Sequence, residues 1–180
     1  MAIEPATGEA RRSFLSGRAV DVPETRYKAD FELLDRYLGF SSELLRMALA
    51  GMAAFGAIVG LLTNNGEFGR PLHGRAFVVI AALALSMLAM SAGCALLHRY
   101  LASDGMFHHL RSAKYLVVQG DEDVQHDKSA LAGLSARVEA DEAMRNARYN
   151  WAGGILFASG GFLMAGVVLL GASVVVVLTL

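Results

Sequence analysis

Residues 151–180 read WAGGILFASGGFLMAGVVLLGASVVVVLTL, with no charged side chain at any position. A helix rises about 1.5 Å per residue, so about 20 apolar residues cross the roughly 30 Å hydrocarbon core of a bilayer. This stretch is long enough to do so. Its valine run, Val174 to Val177, favours strands in water. In lipid, however, a lone strand leaves its backbone groups unpaired, and a helix does not. Two more blocks have the same character. Residues 76–97 carry no charge, and residues 44–63 carry none after Arg46. A single block of this kind fits a buried core helix, but a chain of 180 residues has too little else to bury three. The expected fold class is therefore an all-α integral membrane protein. Its transmembrane helices span residues 44–63, 76–97 and 151–178.

Composition points the same way. Hydrophobic residues make up 54% of the chain, above the ordinary globular share. The net charge of −1 provides no field for nucleic acid. Cys94 is the one cysteine, so no intramolecular disulfide is available. The first apolar block begins too far from the N-terminus for a signal peptide and is expected to be retained.

Lys and Arg collect on cytoplasmic flanks. Arg26, Lys28, Arg36 and Arg46 precede or open the first block. Arg99, Arg111 and Lys114 follow the second, and Arg137, Arg145 and Arg148 precede the third. The connection between the first two blocks has only Arg70 and Arg75. This asymmetry places the N-terminus and the middle segment in the cytoplasm and the C-terminus outside. The expected location is the plasma (inner) membrane, crossed several times. Asn64, Asn65, Gly66, Gly69 and Pro71 are turn residues. Residues 64–75 thus read as an external turn that makes a hairpin of the first two spans. Trp151 stands at the inner edge of the third, where interfacial aromatics gather.

Residues 1–24 have mixed charge and few large apolar groups and read as mobile. From Thr25 a helical pattern begins. Tyr27, Phe31, Leu34, Leu38 and Leu45 form one stripe, with Leu33, Tyr37, Phe40 and Leu44 beside it. Residues 25–46 are expected to be a cytoplasmic amphipathic helix that runs unbroken into the first span. Residues 98–150 are expected to form a cytoplasmic helical hairpin. Tyr100, Phe107 and Leu110 extend the second span, Gly120 to Asp123 turn the chain, and a helix resumes near Asp127. Together the extensions make a helical bundle.

The third long helix carries small residues at steps of three and four. They are Gly133, Ala136, Ala140, Ala143 and Ala147, then Gly154, Ala158, Gly161 and Ala165. Small side chains at this spacing let helix axes approach closely in lipid. Similar rows occur at Ala82, Ser86, Ala89 and Gly93 and at Ala50, Ala53, Ala57 and Gly60. The nine positions on the third helix are the expected packing residues.

The chemistry of the chain is sparse. No charge lies deep in a span, where ion or proton relays place one. Glu43 and Arg46, three apart, are expected to pair at the inner interface. His98, His108, His109 and His126 cluster in the middle segment, but adjacent His108 and His109 diverge on a helix, so no metal site is expected. No catalytic set or phosphate-binding glycine loop is evident, and neither an enzyme nor a cofactor is expected. In layout alone, membrane helices joined to a helical cytoplasmic module, the chain is similar to small membrane effectors of bacterial antiviral systems and to some small bacterial channels. The expected function is a homo-oligomeric membrane assembly, pore-forming or channel-like, controlled by its cytoplasmic helices. The alternative is a non-conducting scaffold, immunity or partner-binding subunit that engages a protein through those helices. In either case the lipid bilayer is a partner and nucleic acid is not.

Overall fold

The computed structural model describes residues 24–64, 74–120 and 122–179. These residues form helices and short turns, with no strand among them. The elements are α1 (Glu24–Asn64), α2 (Arg75–Gln119), the single turn α3 (Glu122–Gln125) and α4 (Lys128–Thr179). The helices α1, α2 and α4 are long and apolar enough to cross a membrane. Each also extends well past its apolar block into charged sequence, so the molecule has an apolar end and a polar end. The segment expected to be mobile, 1–24, and the expected turn, 64–75, lie outside the described residues except at their ends.

The break between α2 and α4 follows from local chemistry. Gly120 ends α2, its amide donating to the carbonyls of Val117 and Leu116. Asp127 starts α4. Its Oδ1 accepts from the amides of Ser129 and Ala130 at 3.0 and 3.1 Å, which satisfies donors that a helix N-terminus leaves unpaired.

The longest contact in the molecule is α4 lying antiparallel along α2. Its seam on α2 is Phe77, Ala81, Ala84, Leu88, Ser91, Ala95, His98, Ala102, Gly105 and Ser112, all buried. These positions alternate steps of four and three, with half-buried His109 filling the one missing place. That is a heptad seam, the pattern that keeps one face of a helix on its partner over many turns. On α4 the matching buried positions are Leu134, Val138, Asp141, Ala152, Ser159, Leu163, Gly166, Ser173 and Val177. Leu156 packs inward between Ala152 and Ser159, so two successive steps of four, from Arg148 to Ala152 to Leu156, shift the register once. The seam therefore differs from the face marked by Tyr100 and Phe107, which are both exposed. The small rows Ala82 to Gly93 on α2 and Ala50 to Gly60 on α1 are exposed as well. Within an apolar block every face is apolar, so hydrophobic period cannot choose between two adjacent rows.

Two features fix the seam. Ser91 and Ser159 form a reciprocal clasp inside the apolar end: each hydroxyl donates to the other's carbonyl at 2.9 Å. Glycine supplies the close approaches. A Cβ on Gly166 would stand 2.7 Å from Leu88 Cδ2 and 3.3 Å from its backbone nitrogen, and one on Gly105 would stand 2.8 Å from the Tyr149 ring. Helix α1 packs mainly on α2. Leu44 and Ala48 join Leu88, Ala92, Ala95 and Leu163, and Phe55 stacks on Phe77 with ring centroids 6.3 Å apart.

Replacing Gly166 by Ala is expected to cost about 1–3 kcal/mol, because Leu88 must move. Ser91→Ala should cost less, about 0.6 kcal/mol and at most about 1.7, the measured range for such bonds in membranes. Unfolding of the purified variants in mixed micelles checks both the sizes and the order.

Candidate functional site

At the polar end α1 keeps less contact with its neighbours. Leu34 and Leu38 are half-buried, while Phe31, Leu33, Tyr37 and Phe40 are exposed. The space left between α1, α2 and α4 is a cleft of about 470 Å³, the size range of sites for small ligands. Leu33, Leu34 and Tyr37 line it from α1, His98, Ala102 and His109 from α2, and Arg145, Tyr149, Gly153, Leu156 and Phe157 from α4.

The polar groups of the cleft occupy two levels. Furthest from the apolar end, His109 bridges two helices. Its Nε2 is 3.1 Å from Asp30 Oδ2 and its Nδ1 is 3.2 Å from Arg145 Nη1. A guanidinium only donates, so Nδ1 must accept from it. The ring is then the neutral tautomer with its proton on Nε2, donated to Asp30. Adjacent His108 turns the other way, to Asp141 at 2.9 Å, and Arg111 stands 3.3 Å from the same carboxylate. Arg148 and Asp104, 2.8 Å apart, add a further cross-helix pair. Tyr149 lies against the bare backbone of Gly105, and burial pushes its phenol pKa above the usual value.

Nearer the apolar end stands His98, only 2% exposed, whose Nδ1 has no hydrogen-bond partner among the described residues. An unpartnered buried nitrogen is costly, since the water it gave up has no replacement. Burial holds its pKa below the ordinary 6.5, which keeps the ring neutral.

Of the residues singled out from sequence, His98 and His109 line the cleft, while the expected ion pair and packing row lie elsewhere. Glu43 Oε1 and Arg46 Nη1 are 2.8 Å apart, but both side chains are exposed, which makes the pair worth little in stability. Nearby, Arg99 donates to Ser42 at 2.8 Å and ties α2 to α1. Gly133, Ala136, Ala140, Ala143, Ala147, Gly154, Ala158, Gly161 and Ala165 are all exposed on the face of α4 turned away from α2. A Cβ on Gly133, Gly154 or Gly161 would meet nothing within 4 Å. Beside that row, Trp151, Gly154, Ile155 and Ala158 border a shallow hollow, and Trp151 is 68% exposed. Sequence reasoning missed the joint role of Asp30, His109 and Arg145, because no spacing rule links positions on separate helices.

No protein-family model, curated protein or solved structure matches the chain.

The depressed His98 pKa has a sign. Below about pH 6.5 the unfolded chain binds a proton that the folded chain resists. Stability linked to His98 is complete above that value and falls as the pH drops from it through the lower folded pKa. Thermal unfolding at about pH 7.5 and about pH 5.5 should show a smaller acid loss for His98→Leu than for wild type. An equal loss in both proteins refutes the assignment.

Proposed function

We propose that the chain is a multi-pass protein of the plasma membrane that works as a homo-oligomer, with copies packed through the outer face of α4. Helices α1 and α2 form a transmembrane hairpin. The polar end forms a cytoplasmic bundle, the N-terminus is cytoplasmic and the C-terminus is external. The observation that carries the reading is the row from Gly133 to Ala165, which none of the chain's other described helices covers. In lipid, helix association draws on close packing rather than on expulsion of water. An uncovered row of Gly and Ala gives that closeness. In a parallel pair each residue meets those within a turn of its own depth, so Trp151 of one copy reaches the hollow at Gly154 and Ala158 of the next. The assembly is channel-like, with the cytoplasmic helices controlling it, and we assign it no catalytic chemistry.

One observation favours a second reading, a non-conducting module that binds a protein partner. Phe31, Leu33, Tyr37 and Phe40 are exposed on the polar half of α1, and large apolar groups in water mark interaction surfaces. Single-channel recording of the purified protein in planar bilayers separates the two readings. Discrete conductance steps support the channel, and silent bilayers with an intact oligomer favour the partner-binding module.

Gly161→Leu is expected to weaken self-association by roughly ten- to a hundred-fold, the effect of an overpacked contact costing about 1–3 kcal/mol. Val168→Leu should matter less, because the residue, three past Ala165, is already branched and gains only one carbon. Particle mass in detergent and in nanodiscs measures both, and a wild type that stays monomeric sinks the oligomer.

Reporter fusions at residue 1 and after Leu180 should report opposite sides of the membrane, as the Lys/Arg bias requires. Signals on the same side would mean an even number of crossings.

A further inference from the structure

We propose that the cleft between α1, α2 and α4 binds one phospholipid with a phosphate-amine head, of the phosphatidylethanolamine kind, from the adjoining leaflet. The inference rests on the membrane reading above but not on conduction or oligomer state.

The polar groups stand in the order that such a head presents. His98 directly follows the uncharged block 76–97, at the edge of the hydrocarbon, where a lipid's glycerol esters lie. Its unpartnered Nδ1 is shut in beside the cleft that the residue lines, and a turn of the ring toward the cleft, in the tautomer that carries the proton there, lets it donate to an ester carbonyl. His109 stands on the same helix about 16 Å further out, in direct contact with both Asp30 and Arg145. An extended glycerol-phosphate-amine head, with a hydrogen bond at each end, covers a similar distance. Arg145 uses two of its N–H groups on His109 and Asn146, which leaves donors for the phosphate. Asp30, whose Oδ2 accepts from His109, takes the ammonium. Below His98, Leu156 and Phe157 continue the wall into the apolar end, where Phe157 is 86% exposed, and the acyl chains lie against them. Arg145 and Asp30 together balance a head that carries both signs, while a purely anionic head would face the Asp30 carboxylate unpaired.

The test is native mass spectrometry of the full-length protein released from nanodiscs of equal parts phosphatidylethanolamine, phosphatidylcholine and phosphatidylglycerol. Wild type should retain one phosphatidylethanolamine per chain, roughly tenfold over either competitor, because choline offers no N–H and glycerol no cation. Asp30→Asn should remove that preference. Gly153 lines the cleft and a Cβ there has nothing within 4 Å, so Gly153→Phe should occupy the space and abolish retention without disturbing the helices. Circular dichroism of both variants must match wild type. Equal retention of the three lipids by wild type, or a preference that survives Asp30→Asn, overturns the assignment. So does full retention in Gly153→Phe, or no lipid retained at all. Carbonate extraction of membranes is the separate check on bilayer insertion. A chain that stays in the pellet yet retains no lipid refutes the site alone.

Discussion

The α2–α4 seam is the interaction on which the rest of the molecule depends. It holds two helices together over most of their length, and on the membrane reading proposed above it does so in two solvents. At the polar end, water drives Leu134 and Val138 into contact with α2, and burial of apolar surface supplies the stabilisation. At the apolar end, lipid is as oily as the side chains, and that drive is absent. The chain changes its means at the boundary without changing the heptad spacing of α2. There Ala81, Ala84, Ser91 and Ala95 of α2 and Ala152, Ser159 and Gly166 of α4 bring the backbones close around Leu88 and Leu163, so van der Waals contact at short distance and the Ser91–Ser159 clasp take the place of the hydrophobic effect. The shift in register on α4, centred on Ala152, lies where the polar and apolar ends meet.

The other features follow from that asymmetry. With α2 and α4 committed to each other, α1 is left with one side of the pair. It packs closely where Leu44 and Ala48 meet Leu88, Ala92 and Ala95 and where Phe55 meets Phe77 and Ala81. Toward the polar end, bulky Tyr37, Tyr149 and the cross-helix pairs leave less room for close packing. There the contact passes from side-chain packing to the Asp30–His109–Arg145 bridge and the Arg99–Ser42 bond. The cleft is the space between a tightly built pair and a third helix attached by polar contacts. Its wall combines apolar groups with polar atoms not fully paired within the protein, an arrangement suited to an amphiphile.

Much of this fold was legible in the sequence, and the limits have physical causes. Helix number came from apolar run length, which a bilayer-length rule reads directly, and continuation past the apolar blocks came from spacings of three and four such as Tyr27, Phe31, Leu34 and Leu38. The chain break near Gly120 and Asp127 was visible because turn and cap residues act locally. The facing of the helices was not visible. In water, amphipathicity names the buried face. In the block 76–97 both Ala81–Ala84–Ser91–Ala95 and Ala82–Ser86–Ala89–Gly93 satisfy a small-residue pattern, and only the partner helix decides between them. The site was less legible still. Asp30, His109 and Arg145 each look like ordinary surface residues in one dimension, separated by 79 and 36 positions. His98 was visible only as a member of a histidine cluster, although its place at the end of an uncharged block was a signal. A polar residue on a seam of small side chains is buried there only if its position demands it.

On the membrane reading proposed above, the exposed faces of α4 and α1 have different roles. A row of small residues in lipid gains little from lipid chains, which pack loosely on it, and gains more from a second rigid helix. The row from Gly133 to Ala165 extends from the polar end into the apolar end. A partner that matches it along that whole path must itself cross the same boundary at the same depth, which a second copy of the chain does by construction. The exposed Phe31, Leu33, Tyr37 and Phe40 lie on the polar half alone. Covering them requires only a surface that water drives onto them. The two faces thus call for contacts of different physical kinds, one made in the bilayer between like helices and one made in water. An assembly held by the first leaves the second available to report on, or respond to, whatever binds at the polar end.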